Sequence, residues 1–414
     1  MSRPLEGMKV IDITSNISGP SLTMILGDLG AEVIKIERPV SGDDSRNMGP
    51  MWEGEGVYYL QINRNKRSII IDLKTDEGRE LVKDLVKEAD VFVENFRLGK
   101  TEDMGLSYED LQSINPEIIY CSLTAYGQTG PDSHKPGYDA IVQAGTGIMS
   151  INGPAGGEPA RAAVSILDQG SAMWGVIGIL SALLHRNKTG VGQKVETSLF
   201  ETGVFWTNYH LMSYMADGRE PVKLGAGHAA FAPYGAFRTA TSEIMIGISN
   251  ESLFKKLCIV LGKEEWASDP RFSSNKNRLE NREELSREIE SVLVKKDADF
   301  WMKKIDEAGV PSSIIQKISH MVDHPQTQST GMLQPVDHPL IDNMRLIRLP
   351  ISLSETPIEI KKAPPLLGED TRTILKDSGL SEDKIDELIA KGIVHNIDQE
   401  LAKKMKNASA IEVE

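Results

Sequence analysis

Five short apolar runs punctuate the first half of the chain: Lys9–Ile13, Glu32–Glu37, Ser68–Leu73, Asp90–Glu94 and Glu117–Leu123. They are apolar almost throughout instead of alternating apolar with polar. A strand of that kind is buried on both faces, which a parallel sheet covered by helices requires. Helix-like stretches lie between them. Pro20–Leu29 is opened by Ser18, Gly19 and Pro20, and Asp76–Ala89 follows the third run. The pattern predicts an α/β, doubly wound architecture. It leaves the order of the strands open.

Further along the character changes. Thr197–Met215 reads as one more long helix, and Lys223–Pro233 as a loop rich in glycine and alanine. Ile244–Ile248 reads as a strand. Ser252–Leu261, Arg282–Val294 and Phe300–Glu307 read as amphipathic helices separated by polar loops. This predicts a smaller second domain. Residues 332–355, with Pro335, Pro339 and Pro350, read as strands returning to the first domain, and Asn396–Glu414 as a polar tail.

A chain of 414 residues exceeds one compact core. Its 60 acidic and 46 basic side chains give a net charge of −14, against general binding of nucleic acid or anionic membrane. A local basic site for an anionic ligand remains compatible. The two cysteines, Cys121 and Cys258, are far apart, as in a protein of a reducing compartment, and no zinc pattern occurs. The N-terminus has no h-region, and the apolar run within Ala172–Leu184 is short for a membrane span and interrupted by Gly and Ser. The expected location is cytoplasmic.

The stretch Ala163–Gly192 carries the candidate chemistry. An apolar run ends on Asp168, and a long helix rich in small residues follows, closing on Lys-Thr-Gly. An acid at such a junction is expected on backbone amides at a helix N-terminus, where the dipole keeps it ionised. It is then either a helix cap or a nucleophile. Asp168 alone does not decide.

Several segments together resemble the class III CoA-transferases, the CaiB/BaiF family. They run from PLEGMKVIDIT through GPSLTMILGDLGAEVIKIERP, GDDSR, NRNKRSIIIDLK, VENFR, GLSYEDL and IIYCSLTAYGQTGP. GYDAIVQA, LLHRNKTGVGQ and PPLLGEDT complete the set, so the resemblance spans about Pro4 to Thr371. It implies a large Rossmann-like domain built from both chain ends, an inserted small α+β domain, and an interlocked homodimer. On this chain the parts are 1–222, the small domain with its linker at 223–330, a return at 331–395, and the tail at 396–414. No GxGxxG follows the first strand, which argues against a nicotinamide dehydrogenase.

The resemblance assigns roles residue by residue. Asp168 falls on the family's nucleophile, which moves CoA between carboxylic acids through aspartyl anhydride and aspartyl-CoA thioester intermediates. CoA enters as a thioester substrate; no permanent cofactor and no metal is expected, and the partners are an acyl-CoA donor and a carboxylic acid acceptor. Arg38, Lys74, Ile71, Asn95 and Phe96 match CoA contacts, with Lys135 and Leu199 more loosely matched. The bland alternatives are solvated charges for Arg38 and Lys74 and core packing for Phe96. Gly225-Ala226-Gly227 matches the glycine loop that covers the nucleophile and serves the oxyanion, or is an ordinary interdomain loop. Asp103 stands where the family often has Arg. Ser15, Ile17 and Ser18 stand where formyl-CoA transferase-like members carry His, Gln and Ala.

Two other readings share the fold. An α-methylacyl-CoA racemase places a His where this chain has Tyr138, and a neutral phenol is a poor base at pH 7. Packing above the sheet is the bland role for Tyr138, and helix capping or surface exposure that for His185. An inactive CoA-binding protein would have no physical need for Asp168, Arg38 and Asn95 together. The acyl donor and acceptor are not legible.

Overall fold

A computed structural model of the chain describes residues 3–396. The tail expected at 396–414 lies, after its first residue, outside the described residues. The chain forms two compact units. One takes in the chain up to Gly147, Ala163–Asn208 and the chain from Gln328 onward; the other takes in Ile148–Ala162 and Tyr209–Thr327. The second unit thus begins at Tyr209 rather than 223, and it includes 148–162. The reason is local pairing: Gly225 N–H donates to the Gly153 carbonyl at 3.1 Å, tying the two loops together.

Six parallel strands build the first unit's sheet: β1 (Lys9–Asp12), β2 (Glu32–Glu37), β3 (Lys66–Ile71), β4 (Val91–Glu94), β5 (Ile119–Thr124) and β6 (Gln193–Ser198). Their order is 3-2-1-4-5-6, that of the Rossmann fold. Val10 of β1 pairs with Val33 on one side and Val91 on the other. Helices α1 (Ser18–Asp28), α2 (Asp76–Val86), α3 (Asp139–Gly145), α4 (Ile166–Thr189) and α5 (Leu199–Trp206) accompany the sheet. Val10, Val33, Val91 and Ile119 pack with Leu22 and Leu26 of α1 and Val176 and Ile179 of α4. Ile11, Ile34, Phe92 and Tyr120 point the other way, into a core with Leu81, Val82 and Leu85 of α2. Each strand therefore buries both faces, which is why it reads as a continuous apolar run.

The second unit takes in all but the first residue of α6 (Asn208–Asp217) and carries the antiparallel sheet β7 (Tyr234–Arg238), β8 (Glu243–Gly247) and β9 (Ser312–Ile314), with β8 central. Helices α7 (Glu251–Leu261), α8 (Arg282–Leu293) and α9 (Ala298–Glu307) pack Phe254, Leu285, Ile289 and Trp301 against Phe237, Ile244 and Ile246. Back in the first unit, α10 (Thr371–Asp377) and α11 (Glu382–Ala390) cover the α2 face, and β10 (Val394–His395) pairs antiparallel with β3 at the sheet edge.

The strands over 332–355 lie in the first unit and pair with each other, Leu333–Pro335 against Arg345–Ile347, while β10 joins the main sheet. Other sequence expectations need correction. The single helix over Thr197–Met215 is broken. Residues to Ser198 finish β6, the Ser198 hydroxyl accepts the Glu201 N–H at 3.1 Å as the cap of α5, and α5 ends at Trp206. Helix α4 starts at Ile166, two residues before Asp168. By length and composition α4 can cross a membrane, the one such helix among the described residues, so the shorter span read from sequence was too narrow. Here α4 packs in the core. A Cβ on Gly175 would sit 2.3 Å from Leu22 Cδ1, and one on Gly178 would sit 2.5 Å from Val195 Cγ1. Those close approaches explain its small residues.

Candidate active site

In an open sheet of this order, ligands bind beyond the strand carboxyl ends where the order reverses, here between β1 and β4. The segments leaving those strands are clamped together. The Asn95 side chain accepts the Ser15 N–H at 3.0 Å and donates to the Ser15 carbonyl at 2.8 Å. Helix α4 runs back along the sheet. At its far end Arg186 pairs with Asp90 at 2.8 Å, beside the start of β4, so Asp168 at its start lies on the carboxyl side.

Asp168 is the third residue of α4, inside the first turn. The helix N–H groups are not taken by Asp168 but by Asp139, the first residue of α3. Asp139 Oδ2 accepts the Leu167 N–H at 2.7 Å and the Asp168 N–H at 3.3 Å. Its Oδ1 accepts the Gln143 amide at 2.5 Å. The cap position is therefore filled by a second acid, and no hydrogen bond or ion pair to a described residue holds the Asp168 carboxylate. Burial, then the Asp139 charge, push the Asp168 carboxyl up to about 7. The expectation that the helix dipole keeps it firmly ionised is corrected: near neutrality it is poised between its two states. Asp139 sits in the quoted GYDAIVQA, yet only the fold brings it to α4.

Beneath the same loops lies a buried ionic network. Lys35 Nζ contacts Asp43 Oδ2 at 2.7 Å and donates to the Thr14 carbonyl at 2.9 Å, and Lys66 Nζ contacts Asp12 Oδ2 at 3.1 Å. All four side chains are fully buried. Asp43 Oδ1 also accepts the Asn16 and Ser45 N–H groups. Arg46 grips both oxygens of Glu37 at 2.8 Å. Burial alone would neutralise these groups. The two lysines instead hold Asp12 below its usual range, and Lys35 with the Ser45 bonds brings Asp43 down to about 2. Lys66 yields to burial and falls to about 8. Much of GDDSR and NRNKR thus does internal work, fixing the segments after β1 and β2.

The other sequence-named residues divide. Arg38 follows β2, is exposed, and is paired with Asp44 and with the Ser41 hydroxyl. Lys74 is exposed after β3, and Lys135 is exposed and paired with Asp132. Asn95 spends its amide on Ser15. Ile71 is wholly buried in the sheet and Leu199 nearly so. Phe96 packs partly on the α2-side core, the bland alternative given for it. Gly225 and Gly227 lie in the second unit, Gly225 at φ +57°. Asp103 is exposed. Tyr138 is 71% exposed at the start of α3, so it does not pack above the sheet, and His185 is on the surface. Among the described residues no group of three His, Cys, Asp or Glu is placed to hold a metal ion.

A Rossmann-ordered unit with a carboxylate set apart at a helix start defines a class that comparison makes explicit. The model of CoA-transferase family III matches residues 5–371. The chain belongs to this family and is an enzyme of the CoA-transferase class. It is similar to the succinyl-CoA:glutarate CoA-transferase of Homo sapiens, 37% identical over 394 residues, 95% of this chain and 90% of that one. It is also similar to the acetyl-CoA:oxalate CoA-transferase of Acetobacter aceti, 40% identical over 331 residues, 80% of this chain and 85% of that one. A CaiB/BaiF family crystal structure from Brucella suis superposes with TM-score 0.83 at 36% identity, covering 91% of this chain and 100% of the other.

Proposed function

We propose that the protein moves CoA between carboxylic acids, at least one of them a dicarboxylic acid, with Asp168 as covalent nucleophile. The observation that carries this reading is the capping of α4 by Asp139, which leaves the Asp168 carboxylate without a bond to lose before it attacks. The names of the relatives, acting with succinyl, glutarate and oxalate groups, support the substrate class.

The steps balance without ATP or metal. An Asp168 oxygen attacks the thioester carbonyl, the C–S bond breaks, and CoA leaves as thiolate. The thiolate attacks Cγ of the mixed anhydride and expels the donor acid as carboxylate, forming the aspartyl-CoA thioester. The acceptor carboxylate attacks that thioester, giving a new anhydride and releasing thiolate again. Thiolate then attacks the acceptor acyl carbon and frees Asp168. Arg38, with Lys74 and Lys135, is the cation set for the CoA phosphates, Arg38 exchanging Asp44 for phosphate. Asn95 shapes the pocket wall, and Phe96 and the Ile71 and Leu199 backbones border it. The protein acts in the cytoplasm, a reading that its two free buried cysteines support.

The assay is direct. Acyl-CoA plus a second acid yields the second acid's CoA ester, and a 2-methylacyl-CoA in D2O takes up no deuterium at Cα. Rapid deuterium uptake without CoA exchange between acids would reverse the assignment to racemisation.

The first step sets a pH dependence. The ionised carboxylate is the nucleophile, so kcat/KM for acyl-CoA rises with pH through about 7, the value for Asp168 in the free enzyme. Asp139→Asn keeps an oxygen for the Leu167 N–H but removes the charge. Its rising limb should move to lower pH, by less than a full return to 3.8, because burial is the larger cause. An unmoved limb in Asp139→Asn would separate Asp139 from the titration.

The functional unit is an interlocked homodimer. Met173, Trp174, Ile177 and Leu184 of α4 and Phe205 of α5 are exposed along contiguous helical positions, with Trp174 edge-on to Phe205 at 5.0 Å. Such an apolar face calls for cover, which a second copy supplies. Light scattering at micromolar concentration should give a dimer, and tagged and untagged dimers should not exchange within minutes. Mixed dimers on that timescale would exclude interlocking, and a monomer would exclude the dimer.

A further inference from the structure

We infer that a groove at the amino ends of β1, β2 and β3, the opposite end of the sheet from Asp168, binds a small phosphorylated polyol through Arg3, Lys361 and Lys362. The groove lies wholly within the first unit. The inference goes beyond the Asp168 reaction and holds whichever acids exchange CoA.

Lys9 opens β1, Glu32 opens β2 and Arg67 is the second residue of β3; all three line the groove. Its carboxylates are taken by two of its bases. Glu88 pairs with Lys9 at 3.0 Å, and Glu32, Asp370 and Asp377 lie 2.6, 3.8 and 2.8 Å from Arg67. The other cations of the lining, Arg3, Lys361 and Lys362, make no ion pair among the described residues.

Their backbones are fixed. Asn65 Oδ1 accepts the Lys361 and Lys362 N–H groups at 2.8 and 2.9 Å, and the Asn65 N–H donates to the Lys362 carbonyl at 3.1 Å. Arg3 sits in a turn tied to the end of α1. Its N–H donates to Glu6 Oε2 at 3.0 Å, and the Leu5 N–H donates to the Leu29 carbonyl at 3.0 Å. The Arg3 side chain lies across Gly30, where an added Cβ would sit 2.5 Å from Arg3 Cβ and 3.3 Å from Arg3 Nε. That Nε is buried and has no acceptor. The partial negative charge at the end of α1 accounts for an arginine nearby, but not for a buried donor without a partner, which costs free energy. One edge of the guanidinium is desolvated and its charge is left to be met from the groove. Phosphate oxygens suit both a guanidinium and ammonium groups.

The groove measures about 880 Å³. Small-molecule sites run to about 300–1,000 Å³, so a bare phosphate would leave most of it empty. No aromatic side chain is among the lining residues, so nothing there stacks on a nucleotide base. The carboxylates paired with Lys9 and Arg67 keep lone pairs for hydroxyl donors. Cations for a phosphate beside carboxylates for hydroxyls describe a phosphorylated polyol.

Calorimetric titration of the full-length protein at low ionic strength, with glucose 6-phosphate as probe, tests this. Glucose 6-phosphate should bind more tightly than either glucose or inorganic phosphate. Lys361→Gln combined with Lys362→Gln should weaken it by about tenfold or more, since charge-assisted contacts are lost. Both lysines are exposed, so the fold is not at stake. Arg3→Gln should weaken it comparably, and Arg3→Lys should recover part of the loss. Lys303→Gln, which removes an exposed charge on α9 of the second unit, should leave binding unchanged. No binding of glucose 6-phosphate at millimolar concentration, undiminished binding in the double lysine variant, or an equal loss in Lys303→Gln would overturn the site.

Discussion

Asp168→Ala should abolish CoA transfer, lowering kcat by roughly 10⁴-fold or more, while the protein remains folded. In the proposed route the loss is large because Asp168 is bonded covalently in both kinds of intermediate, and no neighbouring group can substitute. Asp139 is committed to the first turn of α4. The matching stability effect has the opposite sign. In the unfolded chain this carboxyl loses its proton near 3.8, but in the folded protein only near 7. The folded state therefore binds more protons between those values, and its stability falls as pH rises through that window. Asp168→Asn removes the charge at equal size. It should match the wild type near pH 4 and exceed it above pH 7, by roughly 1–4 kcal/mol. Equal stability at pH 8, read from denaturant midpoints, would show that the folded protein holds the ionised carboxylate without strain.

Lys35→Met should be the most destabilising single change at the sheet's carboxyl end, costing about 3–5 kcal/mol. Lys35 is fully buried between Asp43, Asp12 and the Thr14 carbonyl, and removing it leaves Asp43 without its ion-pair partner and Asp12 with Lys66 alone. The same reasoning predicts partial recovery in Lys35→Met combined with Asp43→Leu, because the uncompensated charge next to Lys35 then goes too. Unfolding of a two-unit chain need not be a single transition, so the first denaturant midpoint is the quantity to compare. A loss below about 1 kcal/mol would mean that the network adds little to the fold.

Strand type was legible in the sequence wherever burial on both faces wrote it there. The runs at β1, β2, β3, β4 and β5 are apolar because helices cover them on both sides. β6, read as QKVETS, was missed for the converse reason: it is the outer strand, half-exposed, and carries polar residues. Strand order was not legible, since it depends on which pairs meet across the chain. The site was legible in part. Asp168 and Arg38 stand out by position after or before regular elements. That Asp168 does not cap α4 became visible only with Asp139, which is separated from Asp168 in sequence and meets it only in the fold. The GDDSR and NRNKR motifs were visible, but their burial was not, nor that they hold the loops from beneath. Asn95 belongs with them, its amide paired to Ser15.

The proposed covalent acylation of the Asp168 carboxylate is tested most directly by trapping. Wild-type protein is mixed with acyl-CoA in the presence of hydroxylamine, then digested and read by mass spectrometry. Anhydride and thioester intermediates both yield a hydroxamate, and the account predicts it on Asp168, only when acyl-CoA is present, and absent from Asp168→Asn. Turnover of acyl-CoA with an unmodified Asp168 peptide, or a hydroxamate on a different residue, would contradict it.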